Sequence, residues 1–151
     1  MTSTESGAEP NVIVERHGEV LVLTLNRPEQ RNAMNSALMS ELNAALRSAN
    51  DDDAIGAVIL TGKGPAFCAG GNLKETSRNI EQGDFWTRYD RATQSLEVHR
   101  LIAALNKPVI GAINGFALAG GAGLAMSCDL VVASEKATFG YPEVKRGLVA
   151  A

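Results

Sequence analysis

The sequence predicts an α/β protein, because short apolar strands alternate along the chain with stretches of helical periodicity. Strands are predicted at residues 57–61, 108–113 and 129–133, and a helical pattern precedes the second and the third. A glycine-rich segment follows each of the first two strands. The alternation is not accompanied by a strict sequence repeat. We therefore expect an architecture built from repeated units of strand and helix.

Composition is that of a globular protein, with 45% hydrophobic and 21% charged residues in a chain of 151. This length suffices for one domain with a hydrophobic core. A net charge of −3 gives no broad cationic field, so we expect neither nucleic acid nor a membrane as a partner. The sequence shows no signal-peptide or membrane-spanning pattern. We expect a cytoplasmic protein.

The N-terminal third divides into a tail, a hairpin, a loop and a helix. Residues 1–11 are polar and predict a flexible tail, which leaves residues 12–151 as the folded core. Residues 12–14 and 20–25 predict two strands joined by a tight turn, where His17 is expected to be solvated. Pro28 places a loop at residues 26–34. Ser36 is predicted to cap a helix over residues 36–50, whose core stripe is Leu38, Met39, Leu42, Ala45 and Leu46.

Two glycine-rich loops suggest the chemistry. Gly120, Gly121 and Gly123 lie where a loop leads into the first turn of a predicted helix, and unpaired backbone N–H groups at such a point can hold a negative oxygen. One such loop alone fits close packing of a helix on a strand equally well. Residues 66–75 form a second glycine-rich loop after the strand at residues 57–61. Two loops of this kind favour a site in which each donates one N–H to the same oxygen.

Four segments carry a resemblance to a known family: NRPEQRNAMN at residues 26–35, AFCAGGNLKE at 66–75, NGFALAGGAGLAMSCD at 114–129 and ATFGYPEVKRG at 137–147. In this order and spacing they resemble the crotonase (enoyl-CoA hydratase/isomerase) superfamily, from about Val12 to the last residue. The resemblance implies a layered ββα spiral of repeated strand-strand-helix units. It also implies a homo-oligomer, trimer or hexamer, and an N-terminal portion that lacks the family's C-terminal helices.

The resemblance implies an acyl-CoA substrate, with CoA as part of the substrate and no separate cofactor. The enolate oxygen of the substrate would be held by the backbone N–H groups of Gly71 and Gly120, in agreement with the interpretation of both loops. The implied substrate and CoA contacts are Arg27, Ala33, Ala69, Gly71, Asn72, Leu73, Lys74 and Gly120.

Several of these implied contacts have a second interpretation. Arg27 and Arg31 fit either a phosphate contact or a solvated loop, and Lys74 fits either a CoA phosphate contact or a solvated helix start. Asn72 stands where the family has aspartate, which weakens any bracing by that carboxylate, although an amide still donates and accepts hydrogen bonds.

The carboxylates decide which reaction is expected. Two glutamates face the enoyl group in the hydratases of this family, and the second of them matches Glu143. The first matches Gly123, which has no side chain. Acid–base work therefore falls to Glu143. Glu75, Glu81 and Asp84 are candidate substitutes for the missing carboxylate, but each is predicted to be solvated.

Three functions remain open. The whole motif set resembles hydratases of fatty-acid or related acyl-CoA metabolism, and this is the first expectation. One glutamate also suffices to move a proton between two carbons, so a double-bond isomerase fits the carboxylate count. The third is a non-catalytic CoA-binding or interaction protein, because Gly123 replaces a carboxylate and the chain resembles only part of the family.

The remaining expectations concern residues 77–105 and the cysteines. The polar segment at residues 79–84 predicts a mobile flap beside the acyl site, followed by a helix. Phe85 and Trp86 fit either contact with the acyl chain or packing in the core. Cys68 and Cys128 have no metal-ligand spacing and are predicted to be small buried thiols. We expect no metal site.

Overall fold

A computed structural model describes residues 9–73, 75, 77 and 85–147, which form two sheets, three helices with defined bounds and a further helical segment at residues 73, 75 and 77. The helices are α1 (Ser36–Asp51), α2 (Phe85–Ala104) and α3 (Gly120–Met126). The strands are β1 (Val12–His17), β2 (Val20–Leu25), β3 (Ala57–Gly62), β4 (Ala66–Cys68), β5 (Val109–Ile113), β6 (Phe116–Leu118), β7 (Leu130–Ala133) and β8 (Thr138–Gly140). Short 3-10 helices occupy Pro28–Gln30 and Pro142–Arg146.

The larger sheet has the strand order β1-β2-β3-β5-β7, in which only the β1–β2 pair is antiparallel. The predicted hairpin is confirmed, with His17 opposite Val20 and a two-residue turn between them. Gly18 has a φ of +63° in this turn, a conformation that glycine adopts without steric cost. Parallel β2, β3, β5 and β7 bring their carboxyl ends to one edge of the sheet.

Helix α1 is confirmed, but its predicted cap is wrong. The residue at the cap is Asn35, whose Oδ1 accepts a hydrogen bond of 2.9 Å from the N–H of Leu38. Ser36 is already helical, and its hydroxyl donates to Glu75 instead. The predicted apolar stripe does face the core: Leu38, Met39, Leu42 and Leu46 are buried, and Ala45 packs against them.

The smaller sheet was not predicted. Its strands β4, β6 and β8 are all parallel, in the order β4-β6-β8. The sequence placed residues 66–68 and the residues just before Gly120 in loops, and both assignments are wrong, whereas the helix predicted to begin near Gly120 is confirmed as α3. Strands of three residues are too short to display a period of two, and all of β4 is buried, which removes any alternation of polar and apolar residues.

Helix α2 confirms the helix predicted after residue 84, but the aromatic side chains near its start do not belong to the core. Phe85, Trp86 and Tyr89 are each more than half exposed, whereas Val98 and Ile102 are buried. The core interpretation of Phe85 and Trp86 is therefore wrong. Strand β7 also differs from a central strand, since all four of its residues are exposed.

Cys68 and Cys128 are free, buried thiols, as predicted. Burial is the main cause that raises the pKa of each thiol to about 11. Both belong to the single core cluster, which also contains Phe67 of the small sheet and Val109 and Ile113 of the large one. Among the described helices, none is long and apolar enough to cross a membrane.

Some predictions fall outside the residues that the structure describes. These are the first eight residues of the predicted tail, the segment at residues 79–84 and Lys74. The last residues of the tail region are described, and the Pro10 carbonyl and the Asn11 side chain bond to Asn26 and Glu41.

Candidate active site at the ends of three parallel strands

The carboxyl ends of the three small-sheet strands bring together the groups that the sequence predicted to be catalytic. Cys68 is paired with Ala117, and Leu118 is paired with Gly140, so neighbouring strands end at the same level. Gly71 follows β4 by three residues, Gly120 follows β6 by two, and Glu143 follows β8 by three. Neighbouring strands lie about 4.8 Å apart, and ligands of parallel sheets bind outside their carboxyl ends.

The two glycine-rich loops are in direct contact. Gly70 has a φ of +92°, and a Cβ at this position would lie 2.9 Å from the carbonyl oxygen of Leu118 and 3.3 Å from the amide nitrogen of Gly120. A Cβ on Gly121 would lie only 2.1 Å from the carbonyl oxygen of Cys68. No side chain fits at either position, so these glycines let the two loops approach closely.

The chain around Met34 fixes the first loop. The N–H of Met34 donates to the Gly70 carbonyl at 2.8 Å, and the N–H of Asn72 donates to the Met34 carbonyl at 2.9 Å. In this parallel bridge the N–H of Gly71 points away from Met34, because successive peptide groups of an extended chain face opposite sides. Gly71 is exposed, and its N–H has no protein partner among the described residues. A Cβ there would meet open space.

The second loop presents its amide differently. Gly120 is the first residue of α3, where the N–H has no intrahelical acceptor. The preceding residue, Ala119, has a φ of +51° and donates its own N–H to the carbonyl of Gly140 at 2.8 Å. This bond ties the second loop to the end of β8. A Cβ on Gly120 would meet only the terminal methyl of Met34 within 4 Å, at 2.7 Å.

Glu143 lies in the first turn of the 3-10 helix after β8. Its side chain is half-buried, and its Oε2 is inaccessible to solvent without a hydrogen-bond partner among the described residues. A buried polar atom of this kind is costly unless a ligand or water completes its hydrogen bonding. The carboxylate is therefore suited to exchange a proton with a bound molecule.

Asn32 is a site-forming residue that sequence reasoning missed. It is fully buried, and its side-chain amide donates to the carbonyls of Lys63 and Ala66 at 3.0 and 2.8 Å, while its Oδ1 accepts from the N–H of Arg27 at 2.8 Å. Asn32 thereby holds the loop at residues 26–34 against the start of β4. Its φ of +54°, which asparagine tolerates better than most residues, was not visible in the sequence.

Arg27 is committed to the same loop. Its guanidinium donates to the carbonyl of Ala33 and to the side chain of Gln30. Partial burial lowers the pKa of Arg27, and the negative charge of Glu75 opposes that shift. Arg31 lies over the ring of Phe116, with its guanidinium carbon 5.9 Å from the ring centre. Ala69 donates its N–H to the Arg31 carbonyl at 3.0 Å.

The residues after the first loop brace it. Asn72 Oδ1 accepts from the N–H of Glu75 at 3.4 Å. Glu75 in turn accepts from the hydroxyl of Ser36 at 2.6 Å, so the prediction that this carboxylate is merely solvated is wrong. Leu73 lies between them with 63% of its surface exposed. The apolar side chain of Leu73 is thus exposed next to the first glycine-rich loop, where it can contact a ligand.

Gly123 lies in α3, whose residues carry no carboxylate. It is partly exposed, as Gly120 is, and residues three apart lie on the same face of a helix. A Cβ at this position would lie 3.5 Å from Cε1 of His99 on α2. The Nδ1 of His99 is 2.8 Å from the hydroxyl oxygen of Ser127, which follows α3. His99 was not singled out by sequence reasoning.

Fold and site together define an α/β protein with one half-buried carboxylate and two backbone N–H groups that have no partner among the described residues, at the ends of neighbouring parallel strands. The family model described as "Enoyl-CoA hydratase/isomerase" matches residues 15–151. The chain belongs to this family.

Individual relatives agree with this assignment. The chain is 45% identical over 138 residues to a probable enoyl-CoA hydratase of Rhizobium meliloti (strain 1021), covering 91% of this chain and 51% of that protein. It is 43% identical over 141 residues to the short-chain-enoyl-CoA hydratase of Clostridium acetobutylicum, covering 91% and 52%. A crystal structure of a putative enoyl-CoA hydratase/isomerase (crotonase) from Legionella pneumophila superposes with a TM-score of 0.88 at 30% identity, covering 95% and 55%. The chain spans about half the length of the curated relatives that it matches.

Proposed function

We propose that this protein binds acyl-CoA thioesters and adds water to a 2-enoyl-CoA through an enolate held by two backbone N–H groups. The observation that supports the proposal is the position of Gly71, Gly120 and Glu143 within three residues of the carboxyl ends of the neighbouring strands β4, β6 and β8. Family membership supports the same reaction class, since the relatives reported above are named as enoyl-CoA hydratases.

The chemistry follows from the two N–H groups. The thioester oxygen accepts a hydrogen bond from each, which draws electrons from the conjugated double bond and makes its far carbon electrophilic. As water adds there, negative charge develops on the thioester oxygen, and fixed N–H dipoles stabilise that charge without having to reorganise. Glu143 handles the proton at the carbon next to the thioester.

The rest of the substrate is assigned by the family's pattern. Arg27, Ala33, Ala69, Asn72 and Lys74 would line the CoA moiety, and the exposed side chain of Leu73 would meet its apolar part. CoA enters as part of the substrate, so no separate cofactor is required. A role in fatty-acid or related acyl-CoA metabolism, a cytoplasmic location and a trimeric or hexameric assembly belong to the same proposal.

Double-bond isomerisation is the second candidate, and one observation favours it. Gly123 has no side chain, so Glu143 is the carboxylate left to move protons. A single carboxylate can take a proton from one carbon and return it to another. Both reactions pass through the same enolate, and they differ in whether water is added.

The test is incubation of the protein with a 2-enoyl-CoA and, separately, with a 3-enoyl-CoA. A product heavier by one water together with loss of the conjugated-enone absorbance identifies a hydratase. An unchanged mass with a shifted double bond identifies an isomerase. Absence of both reactions, with a thioester-dependent rise in melting temperature, contradicts the enzyme proposal and identifies a CoA-binding protein.

A further inference from the structure

The geometry points to His99 as a second acid–base group of this site, which acts on the attacking water from the face of α3 where Gly123 leaves room. This inference rests on the proposed function. It concerns the part of a hydration reaction that one carboxylate does not supply: Glu143 serves the carbon next to the thioester, and the water still requires a base at the other carbon.

The first observation is the position of the imidazole. Helix α3 buries Gly121, Ala122, Leu124 and Ala125, which leaves Gly120 and Gly123 on its partly exposed stripe. A Cβ on Gly123 would lie 3.5 Å from Cε1 of His99, so the ring packs against this stripe. Positions three apart in a helix are separated by about 5–6 Å. The imidazole therefore lies one helical turn from the N–H of Gly120.

The second observation indicates the tautomer of His99. The Oγ of Ser127 lies 2.9 Å from the carbonyl oxygen of Gly123 and 2.8 Å from Nδ1 of His99. Ser127 has one hydroxyl proton, and the carbonyl can only accept. When the hydroxyl donates to Gly123, Oγ accepts from Nδ1, and on this basis we assign the ring proton to Nδ1. The Nε2 lone pair is left unprotonated and has no partner among the described residues.

The surroundings keep the ring neutral. His99 is half-buried, and burial lowers its pKa, which favours the basic form at neutral pH. The described residues of α3 contain no titratable side chain. On the neighbouring α1, Arg47 pairs with Glu97 at 2.7 Å, and Glu41 accepts bonds from Asn11 and Val12. Cys128, the residue after Ser127, is a thiol whose pKa burial raises to about 11. Arg100 on α2 is exposed, and Asp129 accepts a hydrogen bond from the N–H of Val109 through its Oδ2.

The step is balanced within the site. Nε2 of His99 takes a proton from water as its oxygen bonds to the far carbon of the enoyl group, and the electron pair of the double bond moves onto the thioester oxygen. The enolate then collapses and takes a proton from the carboxyl group of Glu143. The imidazolium and the carboxylate return to their starting states by proton exchange with solvent. Isomerisation needs no water, so it does not require His99.

The experiment compares His99→Gln and Ser127→Ala with the wild-type chain, using a 2-enoyl-CoA for hydration and a 3-enoyl-CoA for isomerisation. We expect His99→Gln to lower the kcat of hydration by about 10²-fold or more, with thioester binding unchanged and any isomerisation retained. Ser127→Ala, which removes the hydrogen-bond partner of Nδ1, is expected to lower the kcat of hydration by a smaller factor. The matched control is His17→Gln at the exposed end of β1.

Two further readouts separate a chemical role from a structural one. Wild-type hydration should fall at acidic pH as His99 is protonated, and this limb should disappear in the residual activity of His99→Gln. In the His17→Gln background, ¹⁵N NMR of the remaining imidazole should show the Nδ1–H tautomer and a response of Nε2 to an added enoyl-CoA.

The outcomes are distinct. Hydration that His99→Gln leaves intact and Glu143→Gln abolishes would overturn the role of His99 and keep the proposed function. A wild-type chain that isomerises but does not hydrate would also overturn it. Loss of both activities in the wild-type chain would overturn the proposed function itself. An Nε2–H tautomer would contradict the geometry on which the inference rests.

Discussion

Glu143 combines three properties that acid–base catalysis needs. It follows the end of β8, next to the loop tied down by the Ala119 to Gly140 hydrogen bond. Its Oε2 is shielded from solvent but lacks a partner among the described residues. A carboxylate that is paired within the protein would have to break that pairing before it could exchange a proton. Glu143 does not pay this penalty.

We expect Glu143→Gln to lower the turnover of enoyl-CoA by about 10²–10⁴-fold and to leave thioester binding nearly unchanged. Glutamine keeps the shape of the side chain but cannot take up or release the proton. Turnover is measured by loss of the conjugated-enone absorbance, and binding is measured by calorimetry. The matched control is Glu135→Gln, an exposed glutamate between β7 and β8. Equal activity of the two variants would remove Glu143 from the chemistry.

Gly71 allows a test of a backbone group, because a Cβ at this position would meet no heavy atom within 4 Å. Alanine should therefore fold without strain. The added methyl would project into the open space at this loop, where the thioester is proposed to bind. We expect Gly71→Ala to keep the melting temperature and to lose about 10²–10³-fold in kcat/KM.

The control for this prediction is Gly56→Ala, an exposed position where the new methyl would make an ordinary contact of 3.5 Å with Glu19. It should retain both the melting temperature and the kinetics. If Gly71→Ala turned over substrate as fast as Gly56→Ala, the N–H of Gly71 would not be a donor to the substrate.

At the scale of single residues, sequence reasoning predicted the candidate catalytic residues but not the residues that position them. Gly71, Gly120 and Glu143 stand in recognisable motifs, so the sequence predicted them. Asn32 and His99 act through partners that are distant in sequence, such as Ala66 and Ser127. Such pairings appear only once the chain is folded, because a single sequence contains no signal for them.

At the scale of elements, the site depends on how α3 packs against β4. The first turn of this helix lies directly over the backbone of Cys68, and Gly121 leaves no room between them. Sequence reasoning predicted α1, α2, α3 and the strands of the large sheet, whose lengths exceed one period of their pattern. It missed β4, β6 and β8, which have three residues each and are stabilised by parallel pairing with one another.

The packing of α3 predicts opposite effects for two glycines of the same helix. Gly121→Ala should destabilise the fold by about 1–3 kcal/mol, because its Cβ would lie 2.1 Å from the carbonyl oxygen of Cys68 and the helix would have to move. Gly123→Ala should stabilise it by about 0.5–1 kcal/mol, since alanine is the better helix former and its methyl makes an ordinary contact with His99.

Urea denaturation of both variants measures these two free energies, with each serving as the control for the other. If Gly→Ala changed the free energy of unfolding by the same sign and size at positions 121 and 123, helix propensity alone would determine both effects. Close packing of α3 on β4 would then be contradicted.

At the scale of the molecule, one core joins the two sheets. Buried residues of β4, α3 and β5 belong to the same cluster, in which Phe67, Leu124 and Val109 are fully buried. The family's order of motifs sufficed to predict the α/β class and the spiral of repeated units. It did not predict that β7 would be exposed along its whole length, because an apolar sequence such as that of β7 is equally typical of a buried strand.

The two cysteines provide a test of whether the sheets unfold together. Cys68 belongs to β4 of the small sheet, and the sulfur of Cys128 lies 3.2 Å from the position of a Cβ on Gly111 in the large sheet. Both thiols are buried, with a pKa of about 11, so at pH 8 neither should react with a disulfide reagent until the surrounding structure opens. Because one core contains both sulfurs, we expect both to react with the same dependence on urea.

The measurement uses Cys128→Ala and Cys68→Ala, so that each variant reports a single thiol, and compares the labelling rates after correction for the stability of each variant. Coincident urea dependence that matches the loss of far-UV circular dichroism indicates a single cooperative unit. Faster labelling of Cys128 at low urea would mean that the large sheet opens at the exposed β7 while the small sheet persists. In that case the strand ends that hold Gly71, Gly120 and Glu143 would remain assembled after the large sheet has begun to unfold, and enoyl-CoA binding should survive at the same urea concentrations.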